Sequence, residues 1–186
     1  MRIISGEFRS RKLRFPKSKK TRPMTDRAKE TIFNILGETV RHARVLDLFA
    51  GTGSLGLEAL SRGAIHATFV EEGDWARKSL SDNVKMLGLV RQSTFLWQDV
   101  FKAFKRLEHE GESFDLIFLD PPYNQGLVKK LLNVLGRSDI VTPQTQVVLH
   151  RSRQEKLPDS LEGFELQREK QIGQACLSFL SKSVKG

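Results

Sequence analysis

The amino-acid sequence predicts an α/β fold: a mostly parallel sheet with helices on both faces, a C-terminal antiparallel hairpin, and a small basic β-hairpin arm at the N-terminus. Three observations predict it. From residue 43 onward, short apolar runs of strand character alternate with helix-period segments, and such alternation calls for parallel strands joined by right-handed helical crossovers. The last two apolar runs have no helix between them and flank Ile172-Gly173-Gln174, a hairpin turn. Charge separates the two ends: residues 1 to 22 hold nine Lys/Arg against the single acid Glu7, whereas the remaining residues hold 22 basic against 21 acidic groups.

Each element follows in order. Residues 2–5 and 12–15 are strand-like pieces around a polar connection containing Gly6, and residues 16–23 form a basic loop. Thr25 caps a helix with Asp26 in its first turn, and Ala28, Ile32, Ile35 and Leu36 recur at helical spacing. Strands at 43–49, 66–71, 93–99 and 114–120 alternate with helices at 54–62, 74–87, 100–110 and 126–135. Gly63 and Gly88 stand just past the first two of these helices as C-terminal caps. Residues 145–151 add a fifth strand, and 164–171 with 175–182 make the terminal pair. Residues 1–24 are thus read as an arm and 25–186 as one domain, a length sufficient for a single core.

Composition narrows the function. No stretch approaches the roughly 20 apolar residues of a bilayer span, and the charged N-terminus is unlike a signal peptide, so a cytoplasmic protein without a membrane partner is expected. The one cysteine, Cys176, has neither a disulfide partner nor metal-site spacing; a small buried residue in the last strand is expected, and no metal. A positive excess confined to one end of a near-neutral domain reads as an arm for a polyanion, nucleic acid first. Its candidate RNA-binding residues are Arg9, Arg11, Lys12, Arg14, Lys17, Lys19, Lys20 and Arg22.

Gly51-Thr52-Gly53-Ser54-Leu55-Gly56 fits G-x-G-x-x-G between a strand and a helix, and Glu71 closes the next strand twenty residues after Gly51. Glycines admit close backbone approach, and an acid at that strand tip can take both hydroxyls of a ribose; Glu71 is favoured, with Glu72 the alternative. The motif alone leaves open a pyrophosphate, as in a dehydrogenase, or the amino-acid moiety of S-adenosylmethionine (SAM). Asp47, inside the first strand of VLDLFAGTG, favours the second, because a carboxylate there repels a pyrophosphate and suits an ammonium. Phe49, Ala50, Thr52 and Gly53 belong to the same loop. Asp99, at the end of the third strand, is placed to accept from an adenine amine with the Val100 amide beside it, and it can also cap the next helix.

IFLDPPY ends the fourth strand. In a doubly wound sheet, strands one and four flank the point where strand order reverses, and ligands bind there. Asp120 offers an acceptor to an amine hydrogen. Pro121 and Pro122 lack N–H groups and stiffen the loop, so that carbonyl acceptors converge on the same amine, and Tyr123 offers a flat face to a base. The motif suits a clamp for a planar exocyclic NH2. Such an amine is a weak nucleophile, so positioning and acceptors do the work and no strong base is required. His42, His66, His109 and His150 are scattered without ligand spacing and are read as surface or packed imidazoles.

With MRIISGEFRSRKL, TRPMTDRAKETIFNIL, VLDLFAGTGSLGLEALSRGA, FVE, QDV and FLDPPY in that order, the sequence resembles the Rossmann-like class I SAM-dependent methyltransferases, and more closely the bacterial small-subunit (16S) rRNA guanine-N2 methyltransferases of the RsmD type. The resemblance implies a seven-stranded sheet with an antiparallel last pair, SAM at the glycine loop, Glu71 and Asp99, the amine at Asp120 to Tyr123, and an arm on rRNA. The DPPY tetrad is also shared with adenine-N6 enzymes. Adenine-N6 methylation of DNA or RNA and a noncatalytic assembly factor of the small ribosomal subunit are the alternatives. A monomer is expected. Two places depart from the family: Ile172 stands where an aromatic commonly precedes the glycine, and the fifth strand ends in LHRSR without an acid before His150.

Overall fold

A computed structural model of the chain describes residues 1–16, 24–123 and 126–183. Helix α1 (Asp26–Leu36) opens the domain, and the Thr25 side chain accepts from the Ala28 N–H, the expected N-cap. Then β1 (Arg44–Leu48), α2 (Ser54–Ser61), β2 (His66–Val70), α3 (Asp74–Met86), β3 (Ser93–Leu96), α4 (Val100–His109), β4 (Phe114–Leu119), α5 (Leu127–Gly136) and β5 (Val141–Ser152) alternate, and β6 (Phe164–Ile172) and β7 (Ala175–Lys182) follow without a helix. The seven strands form one sheet in the order β3-β2-β1-β4-β5-β7-β6. Strands β1 to β5 pair in parallel, and β7 lies antiparallel between β5 and β6.

The period of two along each strand divides the core between two faces. Val45, Phe69, Leu116 and Phe118 meet Ile32, Phe33, Leu57 and Leu80 of α1, α2 and α3. Their chain neighbours Leu46, Val70, Ile117 and Leu119 point the other way, onto Phe104, Leu107, Leu131 and Leu135 of α4 and α5. Crossovers therefore run on one face from β1 to β3 and on the other from β3 to β5. Strand order reverses between β1 and β4, which opens a crevice at their carboxyl ends.

The fifth strand begins earlier than the sequence suggests. The expected strand is 145–151, whereas β5 starts at Val141 and includes Pro143, and the β4–β5 register shifts between Phe114 and Leu116. The Thr145 hydroxyl donates to the Phe114 carbonyl at 2.6 Å, so the strand continues through the irregularity.

The N-terminal hairpin reduces to one antiparallel bridge, Arg2 to Lys12. It is seated on the domain: Ile3 and Leu13 are buried with α1 and α2. Beneath it lies an ion pair of two buried side chains, Lys29 of α1 and Glu58 of α2, 3.3 Å apart. Glu58 also accepts from the Ile4 and Ser5 N–H groups at 2.7 and 3.0 Å and from Arg62 Nε at 2.8 Å, while Lys29 Nζ donates to the Arg2 carbonyl at 2.5 Å. Arg9, Arg11, Lys12 and Arg14 are exposed; Lys17, Lys19, Lys20 and Arg22 lie outside the described residues. Among the described residues, no helix is long and apolar enough to cross a membrane.

Candidate active site

A cavity of about 740 Å³ opens over the carboxyl ends of β1, β2, β3 and β4, a size suited to a nucleoside-like ligand. Its floor begins in β1. Asp47, 2% exposed, accepts the Gly56 N–H at 2.8 Å, and burial pushes its carboxyl up to about 7, with Asp120 and Glu71 adding to the rise and the Gly56 hydrogen bond opposing it. Beyond β1 the chain turns sharply: Phe49, Gly51 and Gly53 all take positive φ, and Phe49 does so at 63° with a bulky side chain. A methyl group at Gly53 would press on Leu80 at 2.5 Å and one at Gly56 on Phe69 at 2.4 Å, so these two glycines serve packing of the loop and of α2 on the sheet. Gly51 borders the cavity itself.

At the tip of β2, Glu71 accepts the Gly51 N–H at 2.8 Å through one oxygen and the Gly73 N–H at 2.7 Å through the other. The carboxylate is thereby held against the glycine loop, while Glu72 is exposed at the rim. Each oxygen of Glu71 keeps a second acceptor direction. After β3, Asp99 accepts from the Phe101 and Lys102 N–H groups at 3.0 and 3.2 Å, capping α4, and both it and Val100 border the cavity. Asp47, Phe49, Ala50, Gly51, Thr52, Glu71, Glu72, Asp99 and Val100 all line this one space; Gly53 lies behind it.

The DPPY segment completes the wall from β4, with Asp120, Pro121, Pro122 and Tyr123 all lining the same cavity. Here the structure adds a residue that sequence reasoning passed over. His150, at the end of the adjacent strand β5, sits with Nδ1 2.7 Å from Asp120 Oδ1 and Nε2 2.9 Å from the Tyr123 hydroxyl. The other three imidazoles remain apart, His42 and His109 exposed and His66 against Thr94, where burial lowers its pKa. Trp75 was also missed; it borders the cavity 3.6 Å from where a Gly51 side chain would begin. Its signal was an aromatic four residues after Glu71. Met1, Phe15 and Thr25 close the cavity from the N-terminal side, and Ile172 and Gln174 from the β6–β7 turn. Cys176 is buried in β7, where desolvation raises its thiol pKa. No group of three or more His, Cys, Asp or Glu among the described residues could hold a metal ion.

Known proteins share both sequence and fold. The family described as Conserved hypothetical protein 95 matches residues 1–181. Ribosomal RNA small subunit methyltransferase D of Escherichia coli (strain K12) is 34% identical, with 100% of this chain and 92% of that protein covered. The solved structure of Escherichia coli yhhF superposes with a TM-score of 0.86 at 32% identity over 100% of this chain and 99% of that one. The structure of a hypothetical protein from Thermus thermophilus gives 0.84 at 30%, covering 98% and 99%. The match over nearly the whole length, joined to a full-length relative above 30% identity, means that the chain belongs to the Conserved hypothetical protein 95 family, that of the RsmD-type rRNA methyltransferases.

Proposed function

We propose that the protein transfers a methyl group from SAM to the exocyclic N2 amine of a guanine in small-subunit (16S) rRNA. The observation that carries this reading is the convergence of three carboxylates, Asp47, Glu71 and Asp120, on one cavity, close enough that the latter two raise the pKa of the buried Asp47. Such a site repels a pyrophosphate and favours a cation. SAM carries two positive centres, and when bound it supplies an activated methyl group. Asp47 is suited to the ammonium end. Glu71 is suited to the ribose hydroxyls through its remaining acceptor directions, with Trp75 beside the loop to pack on the nucleoside. Asp99 and Val100 border the place an adenine edge would take.

The target amine belongs at the other end of the cavity, where Asp120 accepts one of its hydrogens and Tyr123 offers a ring to the base. As the N–CH3 bond forms the S–CH3 bond would break, S-adenosylhomocysteine would leave, and the methylated nitrogen, now acidic, would lose its proton to solvent. Holding the amine in line and accepting from it as it gains positive charge is therefore the catalysis the tetrad must supply. A base in folded RNA must leave its stack to reach Asp120. The small-subunit rRNA substrate draws its support from the relative named ribosomal RNA small subunit methyltransferase D, and the guanine N2 target rests on the family resemblance in the N-terminal segments alone.

Labelled-methyl transfer from SAM to small ribosomal subunits lacking the modification, followed by digestion to nucleosides and mass spectrometry, tests the proposal. N2-methylguanine is expected, and Asp120→Ala should lower turnover by about 100-fold or more. N6-methyladenine as the product would redirect the target assignment. SAM binding without any transfer would favour a noncatalytic role in subunit assembly.

A further inference from the structure

We infer that His150 is a positioning residue for the methyl-accepting amine, acting through Asp120 and Tyr123; the inference rests on the reading of DPPY as an amine clamp. Leu149 of β5 is paired with Leu119 of β4, so the next residues on the two strands, His150 and Asp120, emerge side by side at the carboxyl edge of the sheet. His150 is 7% exposed, and its cross-strand partner on β7 is the apolar Leu177. Nδ1 has Asp120 Oδ1 at 2.7 Å, and the Tyr123 hydroxyl lies nearer Nε2, at 2.9 Å, than Nδ1, at 3.4 Å.

For a neutral imidazole, proton accounting selects one arrangement. A carboxylate is an acceptor only, so the 2.7 Å contact with Asp120 Oδ1 requires a hydrogen on His150 Nδ1. In the neutral ring, Nε2 is then an acceptor, and the Tyr123 hydroxyl at 2.9 Å donates to it. Tyr123 donates to His150, and His150 donates to Asp120. One oxygen of Asp120 is thereby committed and the carboxylate is fixed in rotation, which leaves its other oxygen as the acceptor for the amine. The Tyr123 ring is held by its hydroxyl at 63° to the imidazole, with centroids 5.5 Å apart. An imidazole serving only to fill space would not need to satisfy two of the four tetrad residues at once. Supporting residues that orient a reacting group in this way matter to catalysis without touching substrate.

The test compares His150→Ala and His150→Asn, each alone and in the Asp120→Asn background, by steady-state transfer to the RNA substrate, with thermal unfolding as a check on folding. His150→Ala is expected to lower kcat about 10- to 100-fold while KM for SAM stays within about threefold. His150→Asn, whose amide can still donate to Asp120, should recover most of the loss, and His150→Ala should cost much less once Asp120 is Asn, because only the Tyr123 contact is then left to lose. Undiminished kcat in His150→Ala, no recovery in His150→Asn, or losses that multiply in the double variant would each overturn the inference. Nitrogen-15 NMR of the ligand-free protein provides a readout independent of activity: His150 should be the Nδ1–H tautomer, and the Nε2–H tautomer would overturn it as well. Wild-type protein inert toward RNA, with the Nδ1–H tautomer present, would remove the amine-clamp reading and this inference with it. An active wild type beside an equally active, folded His150→Ala would remove this inference alone.

Discussion

At the scale of single residues, the decisive feature is a carboxyl group kept out of water. Asp47 has its pKa raised from 3.8 to about 7, chiefly by desolvation. The sign for stability follows from proton binding. The fold holds this proton more tightly than the unfolded chain does, so the group's contribution to stability falls as pH rises from about 4 to about 7. A cation beside Asp47 reverses the preference and releases the proton. SAM affinity should therefore rise between pH 5.5 and 7 by up to about tenfold per unit and level off above, with proton release visible by titration calorimetry in buffers of different ionisation enthalpy. Asp47→Asn should flatten both the stability slope and the affinity slope and weaken SAM binding about tenfold or more; a steep affinity profile in that variant would place the coupled proton elsewhere. The place of Asp47, Glu71, Asp99 and Asp120 around one cavity was legible in the sequence, because Asp47 lies inside the first strand just before the glycine loop and the other three close strand runs, where period and topology dictate position. His150 was not, because its meaning depends on the pairing of β4 with β5, and nothing in LHRSR states which strand lies beside it.

At the scale of elements, the joint between α1, α2 and the N-terminal segment governs how the cavity is walled. Lys29 and Glu58 are buried at 1% and 0% exposure, and burial lowers the lysine's pKa against the pull of Glu58. Glu58 receives two backbone N–H groups of the arm, so its removal would take the counter-charge from buried Lys29 and the acceptor from both amides together. Glu58→Ala should cost about 3–5 kcal/mol in denaturant unfolding, whereas breaking the exposed Arg2–Asp26 pair by Asp26→Asn should cost less than about 1 kcal/mol. Equal costs would mean that the buried pair adds no more than a surface contact. The order and type of elements were readable from periodicity, since apolar runs and helix-period segments are local signals. Strand order and the double core follow from handedness rules that the alternation invokes. The seat of the arm was hidden: Lys29 in DRAKETIF reads as a solvated helical lysine, and only the arrival of Glu58 and the arm over it explains its burial.

At the scale of the whole molecule, charge and cavity lie on connected surfaces. Residues 1–22 carry nearly all the net charge of +9, and the same segment supplies Met1 and Phe15 to the cavity wall. On the proposed function, a polyanion held by the arm would be delivered beside the site instead of at a distant patch, as a small protein would need to bring one base of a large RNA to Asp120. The exposed cations are not equivalent. Arg14 is already paired with Asp82 of α3 at 2.7 Å, so its reversal would disturb the arm's attachment as well as its charge. Reversal of Arg9, Arg11 and Lys12 to Glu is the cleaner test. If each meets one phosphate, the slope of log K against log salt should fall in magnitude by about 2–3, with weaker RNA binding at low salt. SAM affinity should stay unchanged, because none of the three lines the cavity. Phosphate contacts set register and supply affinity without reading sequence, so the loss should be similar for cognate and unrelated RNA. Filter binding across a salt series measures both quantities. An unaltered slope would take the hairpin out of RNA binding, whereas loss of SAM affinity alongside RNA would show that the hairpin's charge also holds the wall that Met1 and Phe15 form.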